Sequence, residues 1–475
     1  MRRIFLALVA AYLATCAAWL VANFGTLPRY GDSYEYLQRS RSMELDPYRG
    51  IAYPVLLNVL DRSFDDEPLE LAWQRAWEGD PAPRRGMTGF LVLQVLQFAA
   101  LTGSLLYFLR VFFPRIVGRR RLVLLLLLLL DPWLSHFQLA VMSDGLTLSA
   151  CLVFCAALAE LCSGRKAITG PALALLASFL VATNLRVEKT WILGATALST
   201  LAVWRFLERG RAAQHRLLAG RRALLIAALV LPAAATSLVL KSSFQGPNLR
   251  WPEWEAILDA RVLFPHLSAV YDRLPADIRA DLTPLQARQH DVGNRGMHGI
   301  LDRVTGGDPV RRRAFLERCA LVVARERWGR IAFNVLADTA ENVGATLSLY
   351  GRLGALCALG ETAFENRFRD DWSRWTLSRL LHPYPRFGLA CVIAAAGMFV
   401  LCLVPAFLGW RSRLRPAMGI VWLPVGMFVL MNALAFALVA DLVHPRYVLL
   451  AHAVGLLLVY DGALRWAGGE EEPAP

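Results

Sequence analysis

The sequence predicts an all-α protein that crosses a membrane about ten times, with a large helical segment outside the bilayer between the seventh and eighth spans. Three observations predict this class. The 475 residues are 56% hydrophobic, with a mean hydropathy of +0.41, which is too apolar for an ordinary soluble protein. Apolar runs of about 18–20 residues, long enough to cross some 30 Å of hydrocarbon, recur along the chain. Basic residues cluster in the short loops between these runs, as in cytoplasmic loops.

The positions of the charges argue against a nucleic-acid-binding protein. The chain carries 51 Lys and Arg against 38 Asp and Glu, a net charge of +13. The basic residues lie mainly in interhelical loops, where they orient a membrane protein. Most of the eight cysteines lie in apolar runs and behave as small hydrophobic residues. Cys319 and Cys357 lie in the large polar segment, where they either pair or remain two free thiols.

The first apolar run is too long for the core of a signal peptide, and no small-residue cleavage site follows it. We therefore expect an uncleaved first span with its N-terminus in the cytoplasm. Arg-rich loops then alternate with outer loops along the chain, which places both termini in the cytoplasm. The predicted spans are 4–24, 88–109, 122–130, 144–162, 168–183, 190–204, 223–240, 387–408, 418–440 and 447–464.

The long segment between the seventh and eighth spans is mixed in charge and contains several prolines. Apolar positions recur in it with helical spacing, as at Phe315, Cys319, Val322 and Val323, so we expect amphipathic helices, some lying on the membrane. The predicted units are an N-terminal transmembrane module (1–240, with a first outer loop at 25–87), an extracytoplasmic helical segment (241–382), C-terminal spans (383–466) and a disordered cytoplasmic tail (467–475).

Polar side chains gather at the predicted outer ends of the spans, most densely between Tyr30 and Pro54. Ionisable groups at the edge of a bilayer are costly to desolvate, so their convergence on one face predicts a functional site. The alternative for each residue is simple solvation at the interface. Asp32 and Asp144 could instead cap helices, and Arg446 could anchor the last span. The set comprises Asp32, Arg49, Asp131, His136, Asp144, Arg186, Glu188, Lys189, His444 and Arg446.

The first outer loop contains the motif DSYEYL, which starts at Asp32, and then RGIAYP, which starts at Arg49. This pattern resembles the first outer loop of the GT-C glycosyltransferases, in the branch that contains the aminoarabinose transferase of lipid A, the protein O-mannosyltransferases and the RgtA/B/C/D-like bacterial enzymes. That family typically has Asp-[Ser/Glu]-x-x-Tyr followed by Arg-x-Pro-Gly-Tyr-Pro. This chain has Ile51-Ala52 in place of the family's Pro-Gly.

Two further motifs follow in the family's order. VMSDG, in which Asp144 is the acidic residue, is similar to the Met-[Ser/Thr]-Glu that starts the family's fourth span, with Asp in place of Glu. HPRY, from His444 to Tyr447, is similar to the Arg-Tyr that opens the last span in many members. The resemblance covers most of the chain as architecture but only these motifs as residues.

The resemblance implies an inverting glycosyltransferase that moves a sugar from a polyprenyl phosphate to a lipid, glycan or protein at the outer face of a bacterial cytoplasmic membrane. It implies Asp32 as the general base, a role that contributes roughly 10²–10⁴-fold to a rate. Asp144 is the second catalytic candidate and would orient the acceptor or the base. Cations near the departing phosphate would stabilise its growing charge. The candidate donor-phosphate and substrate-binding residues are Arg49, Tyr53, Arg186, Lys189, His444, Arg446 and Tyr447.

Two other functions stay open. A polymerase or ligase of lipid-linked glycans also combines many spans with a large outer loop, but it needs no acidic residue at Asp32. A transporter or flippase usually has internal repeats and polar groups at mid-membrane, and neither is evident in the sequence. No acidic pair is spaced for a divalent cation, and His136 and His444 are expected to be interfacial residues. The sequence therefore predicts no metal ligands and leaves divalent-cation dependence open.

Overall fold

The structure is a computed structural model that describes residues 2–25, 31–43, 50–64, 71, 88–114, 116–163, 168–209, 213–245, 257–263, 266–292, 304–344, 346–347, 349–350, 388–411, 419–439 and 448–468. A π-helical turn at Leu258–Leu263 and a 3-10 turn at Ser268–Arg273 accompany the α-helices. The α-helices are α1 Arg2–Asn23, α2 Gly31–Ser42, α3 Ala52–Phe64, α4 Thr88–Phe112, α5 Gly118–Leu129, α6 Pro132–Leu139, α7 Asp144–Cys162, α8 Thr169–Leu185, α9 Lys189–Glu208, α10 Ala213–Gln245, α11 Ala276–Asp281, α12 Pro284–Val292, α13 Pro309–Val343, α14 Gly388–Arg411, α15 Gly419–Val439 and α16 Leu449–Gly468.

The protein is an all-helical, multi-pass membrane protein, as the sequence predicts. Within the described residues, 7 helices are long and apolar enough to cross a membrane, or 8 if α5 and α6 form one bent span. Two shorter apolar stretches, Thr169–Leu185 and Ile393–Phe407, coincide with the remaining predicted spans. Every predicted span therefore corresponds to an apolar helix in the structure.

The third predicted span differs from expectation, because the chain bends by 64° between α5 and α6. The residues around Asp131 were expected in an outer loop, but Asp131, Trp133 and His136 are completely buried. Pro132 lacks a backbone N–H and fits the first position of a new helix. The Asp131 carboxylate caps that helix by accepting hydrogen bonds from the backbone N–H groups of Trp133 and Leu134, both at 3.1 Å. The bend therefore lies inside the protein and is stabilised by this helix cap.

The bundle is centred on α7, whose apolar stretch is 89% buried inside the protein. This helix packs against α4, α8 and α15, while α14 and α16 pack against each other. Because α7 is apolar on all sides, enclosure by neighbouring helices is its expected environment. The first residue of α7, Asp144, is thereby held at one end of the bundle core.

The segments outside the spans are helical where the structure describes them. In the predicted first outer loop, α3 packs against α2 and α4, with Tyr53, Leu57 and Leu60 buried. In α13, the predicted apolar face is confirmed: Phe315, Cys319 and Val323 are buried, and Val322 packs partly against them. Cys319 is a free thiol, and Cys357 lies outside the described residues.

Candidate functional site

Asp144 and Arg186 form a buried ion pair where α7 and α9 begin and α8 ends. Asp144 is the first residue of α7, and Arg186 follows α8 in an extended conformation. The Arg186 Nη1 atom donates to the Asp144 Oδ1 atom at 2.5 Å, and the two side chains are only 13% and 2% exposed. The N-cap position of α7 is occupied by Ser143, and the Asp144 carboxylate accepts its hydrogen bond from Arg186 and not from the helix backbone. The capping alternative for Asp144 is therefore wrong.

Arg186 also bonds a second carboxylate. Its Nε atom donates to the Glu188 Oε1 atom at 2.5 Å. Burial acts to raise the pKa of Glu188, but the charges of Arg186 and Lys189 outweigh it and hold that pKa below its ordinary value. Arg186 thus lies between two carboxylates, one on each side of its guanidinium group.

Lys189, the first residue of α9, has uncharged groups as its direct partners. Its Nζ atom donates to the Asn432 Oδ1 atom at 2.9 Å. The same nitrogen lies 5.9 Å from the ring centroid of Phe428 and 5.1 Å from that of Phe436, which is the range of cation–π attraction. Lys189 itself is 6% exposed. These contacts, all from α15, hold the ammonium group in one place.

These side chains line a small, partly open cleft. One part of its lining is charged or polar and another part is apolar. The polar lining comes from Asp144, Thr147, Arg186, Lys189 and Asn432. The remaining lining comes from Leu148, Cys151, Phe428, Leu449 and Leu450. A ligand with an anionic head and an apolar tail matches this division.

The predicted first outer loop contacts the chain at the start of α7. The Tyr36 hydroxyl lies 2.7 Å from the Ser143 Oγ atom, next to Asp144 in sequence. The Tyr36 and Tyr53 rings meet edge to face with centroids 5.0 Å apart, and Tyr53 is fully buried. Asp32 lies in the first turn of α2, one helical turn before Tyr36. The structure therefore brings the α2 face that carries Tyr36 to the edge of the cleft.

Gly50 brings the first outer loop against the end of α8. A Cβ atom added at Gly50 would overlap the backbone carbonyl of Asn184, two residues before Arg186. Glycine is required here because the two backbones approach so closely. This contact fixes the start of α3 beside the connection that carries Arg186.

The structure brings together three of the predicted site residues, Asp144, Arg186 and Lys189. Tyr53 is buried and packs against Tyr36. The others fall outside the described part of the chain, namely the Asp32 side chain, Arg49, His444, Arg446 and Tyr447. The last of these precedes Leu449 by two residues, and Leu449 lines the cleft.

Sequence reasoning missed the contribution of α15. Asn432, Phe428 and Phe436 hold Lys189, yet none was among the predicted site residues. The available signal was Asn432 itself, a lone amide in an otherwise apolar span, which is a functional candidate on physical grounds. Its partner could not be inferred, because the two residues are 243 positions apart.

Asp131, predicted to lie with the outer polar set, belongs to a separate buried network. Its Oδ2 atom accepts from the Tyr350 hydroxyl at 2.7 Å, and its Oδ1 atom lies 3.2 Å from His452 Nε2. The other ring nitrogen of His452 lies 3.2 Å from the Thr346 hydroxyl. This network joins the α5–α6 bend to α16 and to the chain that follows α13.

A second group of charges lies at the opposite end of the bundle. Glu160, near the end of α7, accepts from the Tyr107 hydroxyl at 2.7 Å and pairs with Arg110 at 3.5 Å. Arg120 pairs with Asp461 at 2.7 Å. Along α7, Glu160 is about 24 Å from Asp144 at 1.5 Å per residue. The cleft is therefore at the end of the bundle away from the Arg-rich loops.

The arrangement of helices is similar to that of solved structures of ArnT from Cupriavidus metallidurans. For the crystal structure bound to undecaprenyl phosphate, the TM-score is 0.36 at 15% identity, over 95% of this chain and 77% of that chain. For the apo crystal structure, the TM-score is 0.34 at 14% identity, over 97% and 76%. No protein-family model matches the sequence, and no curated protein sequence matches it.

Proposed function

We propose that the protein is an inverting GT-C-type glycosyltransferase that moves a sugar from a polyprenyl-phosphate donor to an acceptor hydroxyl. The observation that carries the proposal is the placement of Asp144, Arg186 and Lys189 in one cleft where apolar spans end. Asp144 stands in one of the motifs that resemble this superfamily. A carboxylate and two cations at the end of a helical bundle are the groups that transfer from a lipid-linked phosphate requires.

The cleft lining suits both parts of such a donor. The positive charge of the cleft stabilises the phosphate, whose negative charge grows as its bond to the sugar breaks. The apolar lining from Leu148, Leu449 and Leu450 suits the first units of the lipid chain. Arg49, Tyr53, His444, Arg446 and Tyr447 complete the proposed donor and substrate site.

The proposed reaction is a single displacement at the anomeric carbon. The acceptor oxygen forms a bond to that carbon while the carbon–oxygen bond to the phosphate breaks, and the bonding electrons leave with the polyprenyl phosphate. The acceptor proton passes to Asp32, the proposed base. Asp144 orients the acceptor: its Oδ1 atom bonds Arg186, and no described residue bonds its buried Oδ2 atom. Attack opposite the leaving group inverts the anomeric configuration.

The proposed location is the bacterial cytoplasmic membrane, with both termini in the cytoplasm and the cleft on the extracytoplasmic face. The acceptor is a lipid, glycan or protein on that face. The Arg-rich loops at the far end of the bundle support this orientation, because such loops stay in the cytoplasm.

Glycan analysis of the source cell tests the function. Mass spectra of lipid A, glycans and glycoproteins are compared among wild type, a deletion strain, and deletion strains that express Asp32→Asn or the control Glu35→Gln, an exposed position in the same helix. We expect the deletion and Asp32→Asn to lose one sugar mass, and Glu35→Gln to retain it. Loss in the deletion alone would reject Asp32 as the base and favour a glycan polymerase or ligase. No change in any strain would reject glycosyl transfer.

Metal dependence is tested separately. Within the described chain, no group of three or more His, Cys, Asp or Glu side chains is placed to hold a metal ion. Comparison of sugar transfer by the purified protein in EDTA and in Mg²⁺ or Mn²⁺ tests for a required divalent cation. Equal transfer in all three would show that none is required. Loss of transfer in EDTA, with recovery on adding either ion, would show that one is.

A further inference from the structure

We infer that the two cations of the cleft have different tasks: Lys189, held by Asn432, is the group that binds the anionic head of the ligand, and Arg186 positions Asp144. This division rests on the proposed function, in which the ligand head is a lipid-linked phosphate. It assigns Asn432 as a positioning residue for Lys189.

The first support is the charge around Arg186. Its guanidinium bonds Asp144 through Nη1 and Glu188 through Nε, so two carboxylates lie against one positive charge. A phosphate that approached Arg186 would be repelled by both carboxylates. The bond from Arg186 Nη1 instead fixes the position of the Asp144 carboxylate.

The second support is the surroundings of Lys189. Its direct partners are the neutral Asn432 amide oxygen and the faces of Phe428 and Phe436. Among the residues that the structure describes, no carboxylate forms an ion pair with it. An ammonium group has three N–H donors, and Asn432 accepts one of them. The other two are suited to phosphate oxygens, with which charge-assisted hydrogen bonds are strong.

The third support is the origin of the two sets of contacts. Arg186 is held by Asp144 at the start of α7 and by Glu188 in its own loop. Lys189 is held by α15, which also provides the cleft with Phe428. The acceptor side and the phosphate side of the cleft are thus built by different helices.

Binding and turnover distinguish these tasks when they are measured on the same purified, full-length variants. The probe for binding is undecaprenyl phosphate in detergent micelles, and turnover uses the donor found active with the wild type. We expect Lys189→Met to weaken binding by roughly 10–100-fold, the loss for a hydrogen bond to a charged group. We expect Arg186→Lys, which keeps the charge but cannot bridge both carboxylates, to bind as wild type while kcat falls by about 10²-fold.

The role of Asn432 in positioning Lys189 is tested by measuring binding to an Asn432 variant and to a control variant in α9. Asn432→Leu is nearly isosteric and removes the oxygen that holds Lys189, so binding should weaken, by less than in Lys189→Met. Thr200→Val removes a buried polar group further along the same helix as Lys189 and should bind as wild type. Elution as a single species from a sizing column shows that each variant is folded.

The outcomes separate the inference from the proposed function. If Lys189→Met binds as wild type, or if Arg186→Lys loses as much binding as Lys189→Met, the division of tasks is wrong although the proposed function stands. If the wild type itself binds no undecaprenyl phosphate, the proposed donor class is wrong and the division of tasks falls with it.

Discussion

At the scale of single residues, the buried pair of Asp144 and Arg186 links the stability of the bundle to its proposed chemistry. A carboxylate that is 2% exposed is tolerated because Arg186 lies against it at 2.5 Å. Removal of one member of a buried pair leaves the other charge without compensation, which typically costs 3–5 kcal/mol. The site therefore includes residues that the fold itself requires.

We expect Asp144→Ala to lower the free energy of unfolding by about 1.5–3 kcal/mol, the loss of a hydrogen bond between charged groups, because Arg186 would stay buried with Glu188 as its remaining carboxylate. Denaturant unfolding in detergent, followed by tryptophan fluorescence, measures the change. Asp281→Ala, at an exposed position in α11, is the control and should change stability little. Equal losses in the two variants would show that the buried pair contributes nothing specific.

Gly50 is expected to be intolerant of even a methyl group. In Gly50→Ala the new Cβ atom would overlap the Asn184 carbonyl, so α3 must move away from the loop that carries Arg186. We expect turnover to fall by about 10²-fold, the effect of a misplacement near 1 Å. Gly103→Ala is the control, since a Cβ atom there would meet no group within 4 Å apart from the adjacent backbone of its own helix. The explanation fails if both variants retain full turnover.

At the scale of helices, the α5–α6 bend depends on one carboxylate. We expect Asp131→Ala to lower the free energy of unfolding by about 2–5 kcal/mol, because it removes the helix cap and leaves Tyr350 and His452 without their partner. Asp131→Asn keeps a capping oxygen and should lose less. Thermal unfolding of the two variants measures the difference. Equal losses would show that the cap is unimportant.

The spans could be predicted from the sequence because the length of an apolar run is a local property that the bilayer selects. The helices of the first outer loop were harder to predict. The α3 helix has one apolar face and a proline near its start, and the region reads as a loop when only hydropathy is considered. The bend after α5 was missed for a different reason. Asp131-Pro132 reads as the end of a span, and only packing shows that the next helix is buried.

At the scale of the whole molecule, the two charged ends of the bundle predict its orientation. Arg41, near the end of α2, and Arg119, in the first turn of α5, are both exposed. We expect a cysteine at position 41 to react with a membrane-impermeant maleimide in intact spheroplasts, and a cysteine at position 119 to react only after permeabilisation. The reverse pattern would place the cleft in the cytoplasm and exclude the proposed outer-face reaction.

The background for this labelling replaces Cys357 and Cys391 with Ser. The other six cysteines are buried in the structure and should not react. Each exposed arginine thus serves as the control for the other, because both substitutions make the same chemical change.

The candidate site could be predicted only in part, and the reason is distance along the chain. Asp144 stands in a recognisable motif, and Arg186 and Lys189 stand near the end of a span, so each is a candidate site residue on its own. Their contacts could not be predicted, because Asp144 pairs with a residue 42 positions away. The different surroundings of the two cations depend on such tertiary contacts.

The contact between Lys189 and Asn432 has a consequence for how the protein is made. The ribosome completes Asn432 243 residues after Lys189. At 5–20 residues per second this delay is roughly 10–50 s, during which the α9 span enters the bilayer without its amide partner. A copy whose synthesis stops before α15 keeps an uncovered ammonium at the end of an apolar helix.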